Sequence, residues 1–251
     1  MSGHSHWAGI KHKKALVDAK RGKLWSRLAK AIIVAAKHGG GDPDANLRLR
    51  YAIDDAKAVS MPKDNIQRAI KRGTGELDGG NLDEIVYEGY GSGGVAIFCE
   101  VLTDNRNRTA GEIRKIFELS DGKLGGAGCV AWMFENKGLF LIPGDAVDED
   151  RLMELALEAG AEDVQRVGDQ FEVTCDPSVY DNISKALTGA GIKPEASQVT
   201  RIAKNTVDIN DPDAAQKVLK LVERLDDHDD VQSVSANYNI PDDVLKAIGA
   251  D

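Results

Sequence analysis

The sequence predicts an α+β fold: an N-terminal basic three-helix bundle followed by two α/β sandwich domains, one ferredoxin-like and inserted into the other. Three observations predict it. Apolar residues recur at helical spacing through about residue 73, and strand-like runs separated by glycine-rich turns begin after residue 76. Residues 138–203 read as one complete βαββαβ cycle, flanked on either side by an incomplete piece of a similar cycle. Charge also divides where the texture changes. Residues 1–75 hold 16 basic and 6 acidic side chains, whereas residues 76–251 hold 16 basic and 35 acidic. A basic section joined to an acidic body points to a polyanionic partner for the first part.

The first helix is the most informative stretch. Residues 4–37 contain nine Lys or Arg against one acid, Asp18. On a helical wheel Lys20, Lys23, Arg27, Lys30 and Lys37 fall within an arc of roughly 100°. Leu24, Trp25, Leu28, Ala31, Ile32 and Ala35 fill the opposite arc. One face is therefore expected to be buried, and the other to face solvent and meet something anionic. An acidic membrane surface would attract the same charge, but the apolar arc suits packing on neighbouring helices better.

Gly39–Gly41 end this helix. Asp42 with Pro43 is the expected start of the second helix, whose Leu49, Ala52, Ile53 and Ala56 form a buried stripe. Pro62 opens a third, with Ile66, Ala69 and Ile70 inward and Arg68, Lys71 and Arg72 outward; Gly73 stops it. Residues 85–90 and 95–102 read as strands. Thr109 and Glu112 have capping-box spacing for the next helix, and the apolar run 129–134, after a glycine-rich loop, reads as the third strand of this piece. After the complete cycle come TVDI (206–209), a helix across 212–226 and VQSVSANY (231–238). Joining the two incomplete pieces gives three expected domains: 1–76, 77–134 plus 204–251, and 135–203. The weak boundary is near 134–138, where NKG (136–138) could be a hairpin turn within one sheet.

Several chemistries are disfavoured. GYGSGG (89–94) lies between strands and GKLGGAG (122–128) between a helix and a strand, the reverse of a phosphate loop's strand–loop–helix order. His4, His6 and His12 lack Cys or acidic partners at zinc-like spacing, so no metal or other cofactor is expected. The DDHDD run (226–230) lacks the spaced ligands of a calcium loop and reads as a solvated helix end. No nucleophile motif stands out, and no catalytic residue is assigned. Cys99, Cys129 and Cys175 are isolated, as expected of reduced thiols in a cytoplasmic protein. No run of 18 apolar residues could cross a membrane, and the first residues show no signal-peptide core.

The expected nucleic-acid contacts are Lys11, His12, Lys13, Lys14, Lys20, Arg21, Lys23, Arg27, Lys30, Arg68, Lys71 and Arg72. TDNRNRT (103–109) adds Asn105, Arg106, Asn107 and Arg108 at a strand-to-helix junction. Free amides and guanidinium groups there suit a secondary phosphate contact, while the same residues could equally hold the turn and pair with the acidic body.

Four segments together carry a resemblance: GHSHWAGIKHKKALVDAKRGKLWSRLAKAI, MPKDNIQRAIKRGTG, YEGYGSGGVAI and LTDNRNRT. In this order they resemble the YebC family of bacterial proteins described as probable transcriptional regulators, to which a mitochondrial translational activator is similar. The resemblance implies three domains, DNA binding or a role in translation on the ribosome, and a cytoplasmic location. The expected function is a non-enzymatic nucleic-acid-binding regulator acting on DNA, with an rRNA- or ribosome-associated translation factor as the alternative. Lysines outnumber arginines on the first helix and no helix-turn-helix pattern is plain, which favours backbone contact over base readout. The oligomeric state is left open.

Overall fold

The computed structural model describes residues 21–78 and 82–249. Three helices come first: α1 (Arg21–Gly39), α2 (Leu47–Ala58) and α3 (Lys63–Gly73). Ile32, Ala35, Leu49, Ile53, Ala56, Ile66 and Ile70 form their common core, as the spacing predicts. The start of α2 differs from the expectation. Asp42 closes a turn by accepting the N–H groups of Ala45 and Asn46, and Asn46 is the cap. The Asn46 side chain accepts from the Leu49 N–H at 3.1 Å and donates to the carbonyls of Ala35 and Gly40. It thus joins the end of α1 to the start of α2, a role that no local pattern reveals. Gly73 does more than stop α3: a Cβ there would lie 2.4 Å from the Ile33 carbonyl, so glycine sets how closely α3 crosses α1.

The first sheet combines β1 (Asp83–Tyr90), β2 (Ala96–Thr103), β3 (Lys123–Leu124) and β9 (Val231–Ala236) in the order β3-β1-β2-β9. Its strands are antiparallel, and β9 arrives from beyond residue 230 to pair with β2. Helices α4 (Arg106–Leu119) and α7 (Pro212–Asp226) cover one face. Ile97, Cys99, Ile113 and Phe117 from the first piece meet Val218, Leu221, Leu225 and Val231 from the last in a single core. Two short strands, β8 (Val207–Asp208) and β10 (Tyr238–Asn239), pair in parallel, and helix α8 (Asp242–Ala247) follows.

Between these pieces lie β4 (Phe134–Pro143), α5 (Glu149–Glu158), β5 (Asp163–Val167), β6 (Gln170–Cys175), α6 (Tyr180–Gly189) and β7 (Ala196–Ala203). Their sheet order, β5-β6-β4-β7, antiparallel throughout, is the ferredoxin-like arrangement. Two local expectations are corrected. NKG is no turn: β4 runs unbroken through it, because Gly138 pairs with both Cys175 and Val199. Residues 129–133 are not a strand of the first sheet, whose third strand is β3. The buried Glu88 carboxylate instead accepts the N–H groups of Gly128, Val130 and Ala131 and pins this glycine-rich loop outside the ladder. Three such bonds outweigh burial and hold the Glu88 carboxyl below its ordinary range.

Candidate nucleic-acid interface

Lys23, Arg27 and Lys30 lie at i, i+4 and i+7 on α1, and so share one face of the helix. That face does not open to solvent as the wheel suggests. The DDHDD segment lies across it. Lys23 Nζ stands 3.4 Å from Asp229 Oδ1. The Arg27 guanidinium reaches Asp226 Oδ1 at 3.3 Å and donates to the Asp226 carbonyl. Because Asp226 is the last residue of α7, this charge also meets the negative end of that helix. Lys30 Nζ donates to Asp230 Oδ1 at 2.6 Å and to the Asp229 carbonyl at 3.1 Å. The three basic side chains are only 27%, 18% and 22% exposed.

Asp230 is therefore not part of a solvated helix end. It is 4% exposed, and besides Lys30 its carboxylate accepts from Arg108 Nη2 at 2.7 Å, Thr109 Oγ1 at 2.8 Å and Thr103 Oγ1 at 3.1 Å. Burial alone would raise its pKa, but the bonds from Lys30, Arg108 and Thr109 prevail and hold it well below the usual carboxylate range. His228 beside it accepts from the Asp230 N–H and meets Glu112 at 2.9 Å.

The TDNRNRT segment takes the turn-holding role weighed for it. Asn105, not Thr109, caps α4 by accepting the Arg108 N–H. Thr109 is inside the helix and buried against Asp230, so its spacing to Glu112 is no capping box. Arg106 lies 3.6 Å from Asp83, and Arg108 pairs with Asp104 and Asp230. The Asn107 side chain is exposed and makes no hydrogen bond among the described residues.

On α3, Arg68, Lys71 and Arg72 are exposed and have no ion pair among the described residues. Lys63, at the start of the same helix, is likewise exposed and unpaired among them. Arg72 also lines an open cleft of about 870 Å³ between the bundle and α4, where Lys23, Lys30, Arg108 and Lys115 face the acids Asp104, Glu112, Asp227, Asp229 and Asp230. Lys115 and the Asp230 cluster escaped sequence reasoning. Four acids within five residues, set against a one-signed helix face elsewhere in the chain, were the signal that could have found the cluster. Lys11, His12, Lys13, Lys14, Lys20 and the side chain of Arg21 lie outside the described residues.

Among the described residues no group of three or more His, Cys, Asp or Glu side chains could hold a metal ion. No described helix is long and apolar enough to cross a membrane.

Residues 5–76 match the model of the TACO1/YebC N-terminal domain, and residues 82–238 match that of the TACO1/YebC second and third domain. The chain belongs to the TACO1/YebC family. Among its relatives is a protein of Rhodopirellula baltica named a probable transcriptional regulatory protein, 58% identical over 96% of this chain and 98% of its own length. One of the same description from Dictyoglomus turgidum is 56% identical over 99% of this chain and its full length. The crystal structure of a conserved hypothetical protein from Aquifex aeolicus superposes with a TM-score of 0.84 at 49% identity, covering 95% of this chain and 98% of that one. The TACO1/YebC relatives named here support a regulatory role.

Proposed function

We propose that this TACO1/YebC protein is a cytoplasmic, non-enzymatic regulator that binds nucleic acid through its basic N-terminal domain. The reading rests on one observation: Arg68, Lys71 and Arg72 are exposed on α3 with no acid paired to them among the described residues, in a chain that is acidic overall. Such cations bind phosphate by releasing the counterions condensed on it. Lys11, His12, Lys13, Lys14, Lys20 and Arg21 add to the basic charge of the same N-terminal domain, and Asn105–Arg108, exposed while they hold the turn, offer a secondary contact. The names of the relatives favour DNA and transcription.

A second reading, ribosomal RNA and translation, is favoured by the cleft beside Arg72. It is concave and lined by side chains from separate elements, which suits an irregular RNA strand better than insertion into a duplex major groove. Gel-shift titrations of a random DNA duplex and of rRNA fragments, at one salt concentration, separate the two. Sedimentation of lysate through sucrose with and without nuclease adds the cellular partner. Reversing Arg68, Lys71 and Arg72 to Glu weakens binding and flattens the log K against log salt slope by about 0.9 per lost duplex phosphate. Unchanged affinity would overturn the proposal.

A further inference from the structure

We infer that residues 226–230 are an internal competitor for nucleic-acid phosphate, seated on the α1 face that would otherwise hold the backbone. The inference rests on the phosphate-binding reading of the N-terminal domain. Lys23 to Lys30 spans about 10 Å along the helix axis, comparable to the rise of three base pairs along a duplex axis at about 3.4 Å each. Over that span the segment presents the carboxylates of Asp226, Asp229 and Asp230 and two backbone carbonyls, one anionic or polar oxygen after another. A phosphodiester chain offers the same sequence of acceptors to the same three donors.

The contact is also built to part. Asp229 is 85% exposed, so release returns it to water. Asp230 keeps Arg108, Thr103 and Thr109, all from its own side of the seam, when Lys30 leaves. Separation therefore leaves Asp229 solvated and Asp230 partnered, and its costlier step is the release of Arg27 from Asp226, whose side chains are 18% and 17% exposed. The opposite flank of the bundle is held by the Tyr51 ring packed edge-on at 5.1 Å against Tyr180 and by Arg50, 3.4 Å from Asp181. A phosphate does not compete for the aromatic contact, so opening is expected on the α7 side. Arg72 and Lys115 line the same cleft without ion pairs among the described residues, while the acids Asp104 and Glu112 beside them are engaged by Arg108 and His228.

The test uses the full chain with Asp226→Asn and Asp229→Asn, which preserve shape and remove the competing charge. Binding of a fluorescein-labelled 20-base-pair DNA duplex, and of an RNA hairpin in parallel, is read by anisotropy. Affinity for at least one probe should rise about tenfold, because the binding-competent fraction rises. In the unaltered protein, saturating probe should speed amide exchange across residues 227–231. Unchanged affinity in the Asn variant, or slowed or unaltered exchange, overturns the competitor while leaving the α3 site intact, provided the Glu variants of Arg68, Lys71 and Arg72 still lose binding. If neither protein binds either probe, the phosphate-binding reading and the competitor fall together. Equal melting temperatures for the Asn variant and the unaltered protein exclude misfolding as the cause of any change.

Discussion

Lys30 of the first helix and Asp230, 200 residues further along, stand 2.6 Å apart. Asp230 is the point where β2, α4, β9 and α1 meet, since Thr103, Thr109 and Arg108 bind the same carboxylate. Asp230→Asn should destabilise the protein by about 2 kcal/mol in urea denaturation, because the amide cannot accept from all four donors. The acidity of Asp230 gives the pH dependence a sign. Its folded pKa is depressed, so its contribution is complete above the unfolded value of about 4 and is lost as pH falls below it. The gap between variant and unaltered protein should therefore narrow on acidification below pH 4. A constant gap would show that Asp230 acts by shape alone.

Glu172 gives the opposite sign. It alternates along β6 with Phe171 and Val173, which face the ferredoxin-like core, so it lies on the other face of that sheet. Its Oε1 is buried without a hydrogen-bond partner among the described residues, and burial pushes its pKa up to about 7. A raised acid costs stability once it must ionise, so the cost grows from the unfolded pKa near 4.5 and levels off above 7. Glu172→Gln should stabilise the protein by on the order of 2 kcal/mol at pH 8 and by little at pH 4. Melting curves at the two pH values would decide it.

Trp25 packs against the bundle core and donates from Nε1 to the Val59 carbonyl at 3.3 Å. It is half-buried, so Trp25→Ala should cost about 3 kcal/mol. Loss of helical circular dichroism at lower temperature is the expected readout. A variant that melts normally yet loses nucleic-acid binding would make Trp25 a stacking contact instead.

The proposed division into domains 1–76, 77–134 plus 204–251, and 135–203 makes its own prediction. A chain ending at residue 203 lacks α7 and β9, and with them Val218, Leu221, Leu225, Val231 and Val234 of the shared core. The first sheet should unfold in that fragment while the ferredoxin-like unit keeps dispersed NMR signals. A fragment of residues 77–251 should keep both. Well-dispersed signals from both units in the shorter fragment would refute the split.

The helices of the bundle and the βαββαβ cycle were legible because each follows a local period. Ile66, Ala69 and Ile70 announce a helix face, as Phe171, Val173 and Cys175 announce a strand face. What escaped depends on partners remote in sequence. Asn46 looks like any loop residue until the end of α1 is placed beside it. The basic arc of α1 was grouped correctly on the wheel but is not solvent-facing, because a wheel has no place for Asp226, Asp229 and Asp230. Residues 129–133 read as strand because their apolar content was plain, while the carboxylate of Glu88 that holds this loop off the ladder lies about 40 residues earlier.

The interrupted sheet has a consequence in time. β2 ends at Thr103, and the strand that pairs with its free edge begins only at Val231. At about 5–20 residues per second, a nascent chain would hold that edge open for roughly 6 to 25 seconds. The whole ferredoxin-like unit emerges during the wait and can close by itself. The order of birth is thus bundle, insert, then host, with the acidic segment 226–230 arriving immediately before the strand that seals the sheet.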